Sequence, residues 1–279
     1  MAEKMILYKI AKPILGPIYK FWYRPTIIGK ENIPKEGATI IVGNHIHIMD
    51  QCNIIISTKR CIRYMAKKEY FDPKYKEGKF PWFFRGTGCI PVDRSKKDEE
   101  ATKEALDVLN NNEILGLFPE GTRNHLKESR ANELYEKYFL EENMDFKTFY
   151  AKVKNNRTSF IDYLEELKDN KKITKEEFLD NVVDADYFLQ ELVKSHRITR
   201  EEYYDHILLP LKFGAVSMAH KTNAKIVPYA ITGDYKFRGK NLTIRIGEPF
   251  YADTDLAKAN QKLDQEIKNL IKDNEQNKW

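Results

Sequence analysis

The run Gly43-Asn44-His45-Ile46-His47-Ile48-Met49-Asp50 sets two imidazoles just ahead of a carboxylate. An imidazole titrates near neutrality, and one oriented by an acid can act as a general base on a hydroxyl. Spacing decides which imidazole the carboxylate can reach. Positions i and i+5 lie about 140° apart on a straight helix. His45 therefore meets Asp50 only if His45 sits in a loop and Asp50 opens the helix that follows. His47 and Asp50 are i and i+3 and would meet on a regular helix, so helix geometry alone favours His47.

Three further blocks carry polar chemistry. Gly88-Cys89-Ile90-Pro91-Val92-Asp93-Arg94 and Phe118-Pro119-Glu120-Gly121-Thr122-Arg123 each end in a guanidinium, whose planar fork fits phosphate oxygens. Gly121 permits close backbone approach and Thr122 adds a hydroxyl. Ile226-Val227-Pro228-Tyr229-Ala230-Ile231 is apolar and reads as a core strand with a pocket-facing proline. Singly, each block has a plainer reading: Arg94 in a surface ion pair, Glu120-Gly121 as a turn, Val227-Pro228 on an edge strand.

In this order and together, Asn44-His45-x4-Asp50, Gly88-x-Ile-Pro-Val-Asp-Arg94, Phe118-Pro-Glu-Gly-Thr-Arg123 and Ile226-Val-Pro228 resemble the four motifs of the PlsC-type glycerolipid acyltransferases. Glu31-Asn32-Ile33-Pro34, Met65-Ala66-Lys67-Lys68 and Lys212-Phe213-Gly214-Ala215 resemble that family's connecting segments. Two features depart from the family pattern: a long segment after the third motif, and an imidazole at His47 where a small polar residue is usual. The resemblance implies transfer of a fatty acyl group from a thioester, acyl-CoA or acyl carrier protein, to the free hydroxyl of 1-acyl-glycerol-3-phosphate, giving phosphatidic acid. It implies His45 as the base and Asp50 as its orienting partner. Arg94 and Arg123, with the turn of Glu120, Gly121 and Thr122, would hold the glycerol phosphate. It calls for no metal and no cofactor. Glycerol 3-phosphate or another lysophospholipid as acceptor is the alternative within the class, and a non-catalytic membrane-associated scaffold the alternative outside it.

These blocks need a frame. Short β-rich runs at 26–29, 38–42, 62–66, 89–92, 114–118, 225–231 and 242–246 alternate with helical patterns at 99–110, 213–221 and 256–271. The alternation predicts an α/β domain, a mixed and largely parallel sheet flanked by helices, over 25–126 and 208–279.

Residues 127–207 show no strand pattern and are expected to form an inserted helical subdomain. The segment carries 14 Lys/Arg against 19 Asp/Glu, a net charge of −5, so the rest of this +5 chain carries +10. An internal echo recurs about 25 residues apart, pairing Leu167, Ile173 and Thr174-x-x-Glu177 with Leu192, Ile198 and Thr199-x-x-Glu202. Both Thr-x-x-Glu runs predict capping boxes, and a fainter relative begins at Asp145. The Ile-Thr-x-Glu-Glu-aromatic turn resembles the short helical oligomerisation modules called SHOCT domains. A lid, a self-association module and a carrier dock are all open for the insert, although its acidity makes the basic body the better surface for an acidic carrier.

The first 24 residues mix Lys4, Lys9, Lys12, Lys20 and Arg24 with large apolar and aromatic side chains. That mixture predicts an amphipathic helical anchor lying in a membrane interface, broken or kinked by Pro13 and Pro17. No apolar run approaches the roughly 20 residues a spanning helix needs. The expected location is peripheral, on the cytoplasmic face of the cell membrane. Cys52, Cys61 and Cys89 fit neither a disulfide framework nor a zinc site. No nucleic-acid-binding pattern is visible.

Overall fold

Apolar runs bounded by turn residues become strands, and the periodic segments between them become helices. The computed structural model describes residues 5–75, 78–140 and 144–279. Residues 1–4 of the expected anchor and 141–143 of the expected insert lie outside them. In chain order come α1 (Ile6–Tyr23), β1 (Thr26–Ile28), β2 (Thr39–Gly43), α2 (Asp50–Ile55), β3 (Ile62–Lys67), α3 (Pro81–Gly86), β4 (Ile90–Val92), α4 (Glu99–Asn110) and β5 (Ile114–Leu117). Then follow α5 (Glu128–Tyr138), α6 (Phe146–Val153), α7 (Thr158–Asp169), α8 (Lys175–Asn181), α9 (Ala185–Lys194) and α10 (Arg200–Asp205). The chain closes with α11 (Gly214–Thr222), β6 (Lys225–Thr232), β7 (Thr243–Ile246), β8 (Phe250–Tyr251) and α12 (Leu256–Asn274). It forms two units, Met1–Gly121 with Leu211–Trp279, and Thr122–Pro210.

In the first unit the described strands form one eight-stranded sheet of order β1-β7-β6-β2-β5-β3-β4, with β8 also on β6. It is mixed and largely parallel; β7 and β8 run antiparallel to β6. Every residue of β2 and β5 is buried, the pattern of parallel strands covered on both faces. Helices α4, α11 and α12 pack side by side against the sheet. Asp98 and Asp255 start α4 and α12 by accepting backbone N–H bonds. From β2 the chain goes out through β3 and β4 and returns as β5 on one side, while β6 lies on the other. Order therefore reverses at β2, and a crevice beyond the carboxyl ends of strands at such a point is where α/β sheets bind ligands.

Pro228 sits inside β6, which is a central strand and not an edge. Its carbonyl accepts from Gly247 N–H at 2.8 Å, so its N atom faces the same neighbour. On that side β8 pairs only with Lys225 and Ile226, and β7 begins at Tyr229. The missing N–H thus falls in the gap between two partners.

Of the expected break or kink at Pro13 and Pro17, the break does not occur: α1 runs through both. The two prolines lie four apart on the exposed face, while Tyr8, Gly16 and Tyr19 are buried on the other. Each proline removes one helical bond at a cost of about 3 kcal/mol in an ordinary interior. Here the freed carbonyls lie on the exposed side and the buried face packs against α2 and α3.

The second unit is helical. Both predicted capping boxes form, at Thr174 with Glu177 and at Thr199 with Glu202. Helices α7 and α9 end in equivalent turns, with Lys171 at φ 59° and His196 at φ 58°. Each turn is closed by the paired bonds of a Schellman motif, Lys172 N to Leu167 O at 2.8 Å and Arg197 N to Leu192 O at 2.9 Å. The repeats also brace each other reciprocally. Lys172 of the first pairs with Glu202 of the second at 3.0 Å, and Arg197 of the second donates to Glu177 of the first at 3.0 Å. Such exchange of equivalent residues marks a twofold relation and not a translational stack.

Candidate active site

The site grows from the carboxyl end of β2. The chain leaves the strand at Gly43, passes through a loop, and enters α2 at Asp50. This is the geometry required for an i, i+5 contact. His45 Nδ1 lies 2.8 Å from Asp50 Oδ2, and the His45 side chain is 16% exposed while that of Asp50 is fully buried. The same carboxylate oxygen accepts the backbone N–H groups of Ile46 at 2.7 Å and His47 at 2.8 Å. His47 thus reaches Asp50 through its backbone. Its ring stacks on Tyr235 with centroids 4.1 Å apart, and its Nδ1 accepts from Met49 N–H at 3.2 Å.

Neighbouring strands fix the loop. The buried Asn44 side chain donates to Ile231 O at 2.9 Å and accepts from Ile231 N–H at 2.7 Å, tying the loop to β6. The His45 ring stacks on Phe118, which follows β5, with centroids 3.8 Å apart and planes 10° from parallel. Gly43 is required because the Tyr229 ring occupies the space a Cβ would need, at 2.4 Å. Burial and the Asp50 charge raise the Tyr229 hydroxyl well above its usual range. Burial pushes the nearby Cys52 thiol up to about 11, with the Asp50 charge adding to it, so it stays a thiol at neutral pH. With Nδ1 on the carboxylate and one ring face on Phe118, Nε2 is the ring atom left without a partner among the described residues.

The other expected residues divide. Glu120, expected beside the phosphate, is buried, and its Oε1 accepts the His45 backbone N–H at 2.8 Å. That bond fastens the turn after β5 to the loop that carries His45. Gly121 has φ 72°, and the space a Cβ would fill is taken by the Lys212 side chain at 2.7 Å. The Lys212 ammonium therefore lies at this turn. Arg94 is exposed two residues beyond β4, three strands from β2 or about 14 Å across the sheet. Lys68 at 2.7 Å and Ser95 at 2.6 Å hold the neighbouring Asp93 carboxyl well below the usual range. Thr122 and Arg123 are half-buried and open the second unit.

Sequence reasoning missed Tyr235 and Asn53. Tyr235 donates to Asp50 Oδ1 at 2.6 Å from 185 residues away. Asn53 donates to Tyr235 at 2.7 Å. No local spacing signals either contact.

Among known proteins, a family model described as Acyltransferase matches residues 24–232. The chain is 30% identical over 118 residues to the 1-acyl-sn-glycerol-3-phosphate acyltransferase of Bacillus subtilis, covering 42% of this chain and 57% of that protein. It is 34% identical over 108 residues to the protein of the same name from Borreliella burgdorferi, covering 38% of this chain and 41% of that one. The chain thus matches about half the length of these curated relatives. The crystal structure of the 1-acyl-sn-glycerophosphate acyltransferase PlsC from Thermotoga maritima aligns over 98% of this chain and 83% of its own, with TM-score 0.55 and 17% identity, so the fold is shared.

Proposed function

Since the chain belongs to the acyltransferase family, we propose that it moves a fatty acyl group from acyl-CoA or acyl carrier protein to the free hydroxyl of 1-acyl-glycerol-3-phosphate, yielding phosphatidic acid. One observation carries the reading: the 2.8 Å bond from His45 Nδ1 to a buried Asp50, which leaves Nε2 to face a substrate. A thioester is already activated, so the reaction needs a base and no covalent nucleophile. His45 Nε2 takes the hydroxyl proton as the oxygen attacks the thioester carbonyl. The tetrahedral adduct then expels the thiolate, which recovers the proton from the imidazolium. Asp50 fixes the tautomer and stabilises that imidazolium.

The phosphate falls to Arg94, Thr122 and Arg123 by the motif resemblance, with Gly121 as the close-approach turn. Lys212 beside Gly121 adds an ammonium within reach of that turn. Glu120 belongs to the same motif, and its Oε1 also holds the His45 backbone. Positioning of this kind lowers the entropic part of the barrier. No metal or cofactor is called for. The basic body is the surface for an acidic acyl carrier.

The acceptor is a lipid, and α1 supplies the means of reaching it. Ile6, Ile10, Ile14, Leu15, Ile18, Phe21 and Trp22 are all at least 48% exposed, with Lys9 and Lys20 among them. Phe80 and Trp82 at α3, which packs on α1, are also exposed. Such a face suits the headgroup–acyl boundary of the cytoplasmic leaflet. No helix among the described residues is long and apolar enough to cross a membrane.

The test is purified protein with labelled acyl-CoA or acyl carrier protein and a panel of acceptors. Phosphatidic acid from 1-acyl-glycerol-3-phosphate is the expected product. Transfer only to glycerol 3-phosphate or another lysophospholipid would move the acceptor assignment, and no transfer from a folded protein would favour the scaffold. Ile14→Glu with Ile18→Glu should abolish binding to anionic vesicles; unchanged binding would overturn the anchor.

A further inference from the structure

A line of hydrogen-bonded side chains runs from α1 to the His45–Asp50 pair. Tyr19 OH donates to Asn53 Oδ1 at 2.9 Å, Asn53 Nδ2 donates to Tyr235 OH at 2.7 Å, and Tyr235 OH donates to Asp50 Oδ1 at 2.6 Å. Asp50 Oδ2 then accepts from His45 Nδ1. The Asn53 amide orientation is the only one that satisfies both of its neighbours. Each donor points toward Asp50, so the bonds polarise one another in a single direction.

We propose that Tyr235 is a positioning residue for the His45–Asp50 pair, and that Tyr19, acting through Asn53, makes α1 part of the catalytic framework. The proposal rests on the acyltransferase reading for its kinetic consequences but not for its geometry. A carboxylate has room for about four donors. Asp50 receives four: His45, Ile46 and His47 on Oδ2, and Tyr235 on Oδ1. Tyr235 is the one that holds the second oxygen and so fixes rotation of the carboxyl plane. Burial and the Asp50 charge keep its hydroxyl protonated and therefore donating. Rings lock it in place: His47 stacks on one side, and Tyr23 of α1 meets it edge-on at 5.5 Å, itself 5.0 Å from Tyr19. Asn53 and Asp50 are fully buried, while Tyr235 is half-buried. The helix that exposes its apolar side thus turns its other side to the active site.

Tyr235→Phe keeps the ring and removes the hydroxyl. It should lower kcat about tenfold with KM for both substrates within about twofold, because the lost bond orients a catalytic group and binds no substrate. Tyr19→Phe should lower kcat by a smaller factor in the same way. The second readout needs no turnover: the far-downfield proton resonance of His45 Nδ1–H, assigned by its disappearance in His45→Gln. It should shift in Tyr235→Phe and shift less in Tyr19→Phe. A Tyr235→Phe protein that melts lower but keeps both kcat and the resonance would overturn the proposal, since that is what a merely structural hydroxyl gives. If Tyr235→Phe does not fold, Tyr19→Phe decides by the same two readouts. If the wild type transfers no acyl group, the acyltransferase reading fails while the resonance still judges the hydrogen-bond line.

Discussion

Asp50 and Glu177 are both carboxylates that accept backbone N–H groups near a helix start, yet they are served in opposite ways. Asp50 draws its donors from the loop before it and from Tyr235, 185 residues later, and is fully buried. Glu177 accepts from Thr174 three residues back and from Arg197 in the next repeat, and remains partly in solvent. The α/β unit assembles one polar centre from distant segments, whereas the helical unit repeats a local device twice. Loss of a polar group in the first should therefore be felt as rate, and in the second as stability.

The largest expected effect is on rate. His45→Ala should cost about 10²–10⁴-fold in kcat/KM with the melting temperature nearly unchanged, measured by acyl transfer and thermal unfolding. His47→Ala should cost less; a loss equal to that of His45→Ala would move the base assignment and blur the contrast. Next come the caps. Thr174→Ala and Thr199→Ala should each destabilise by about 1 kcal/mol in denaturant titrations, with kcat unaffected. The third prediction runs the other way. Lys171 and His196 hold left-handed backbone without a glycine, so Lys171→Gly and His196→Gly should each stabilise by about 0.5–1 kcal/mol. Equal gains would sharpen the picture of two equivalent turns.

The smallest effect is electrostatic. The Arg197 guanidinium and the Thr174 N–H bring the Glu177 carboxyl from 4.5 down to about 2. A carboxyl depressed in the folded state contributes fully above its unfolded value, and the contribution disappears as pH falls from about 4.5 toward 2. Glu177→Gln should therefore make stability fall less steeply over that window, by no more than about 1 kcal/mol for so exposed a pair. An unchanged slope would remove Glu177 from the account.

The same contrast explains what could be read from the chain. The capping boxes were legible because both partners lie within four residues, and the strand and helix order followed from periodicity. For His45 and Asp50 the sequence supplied a condition, loop then helix start, and β2 followed by α2 satisfies it. Tyr235, Asn53 and the Glu120 bond to His45 were not legible, because strand order alone brings those segments together. Continuity of α1 through two prolines was also out of reach, since it depends on which face packs.

The crossed pairing of Lys172 with Glu202 and Arg197 with Glu177 has one more consequence. A duplicated hairpin here has already found its mate inside the same polypeptide. Two whole molecules could join along this seam only by trading hairpins, each opening its own before closing on the other's. Any assembly made that way would form slowly and depend steeply on protein concentration.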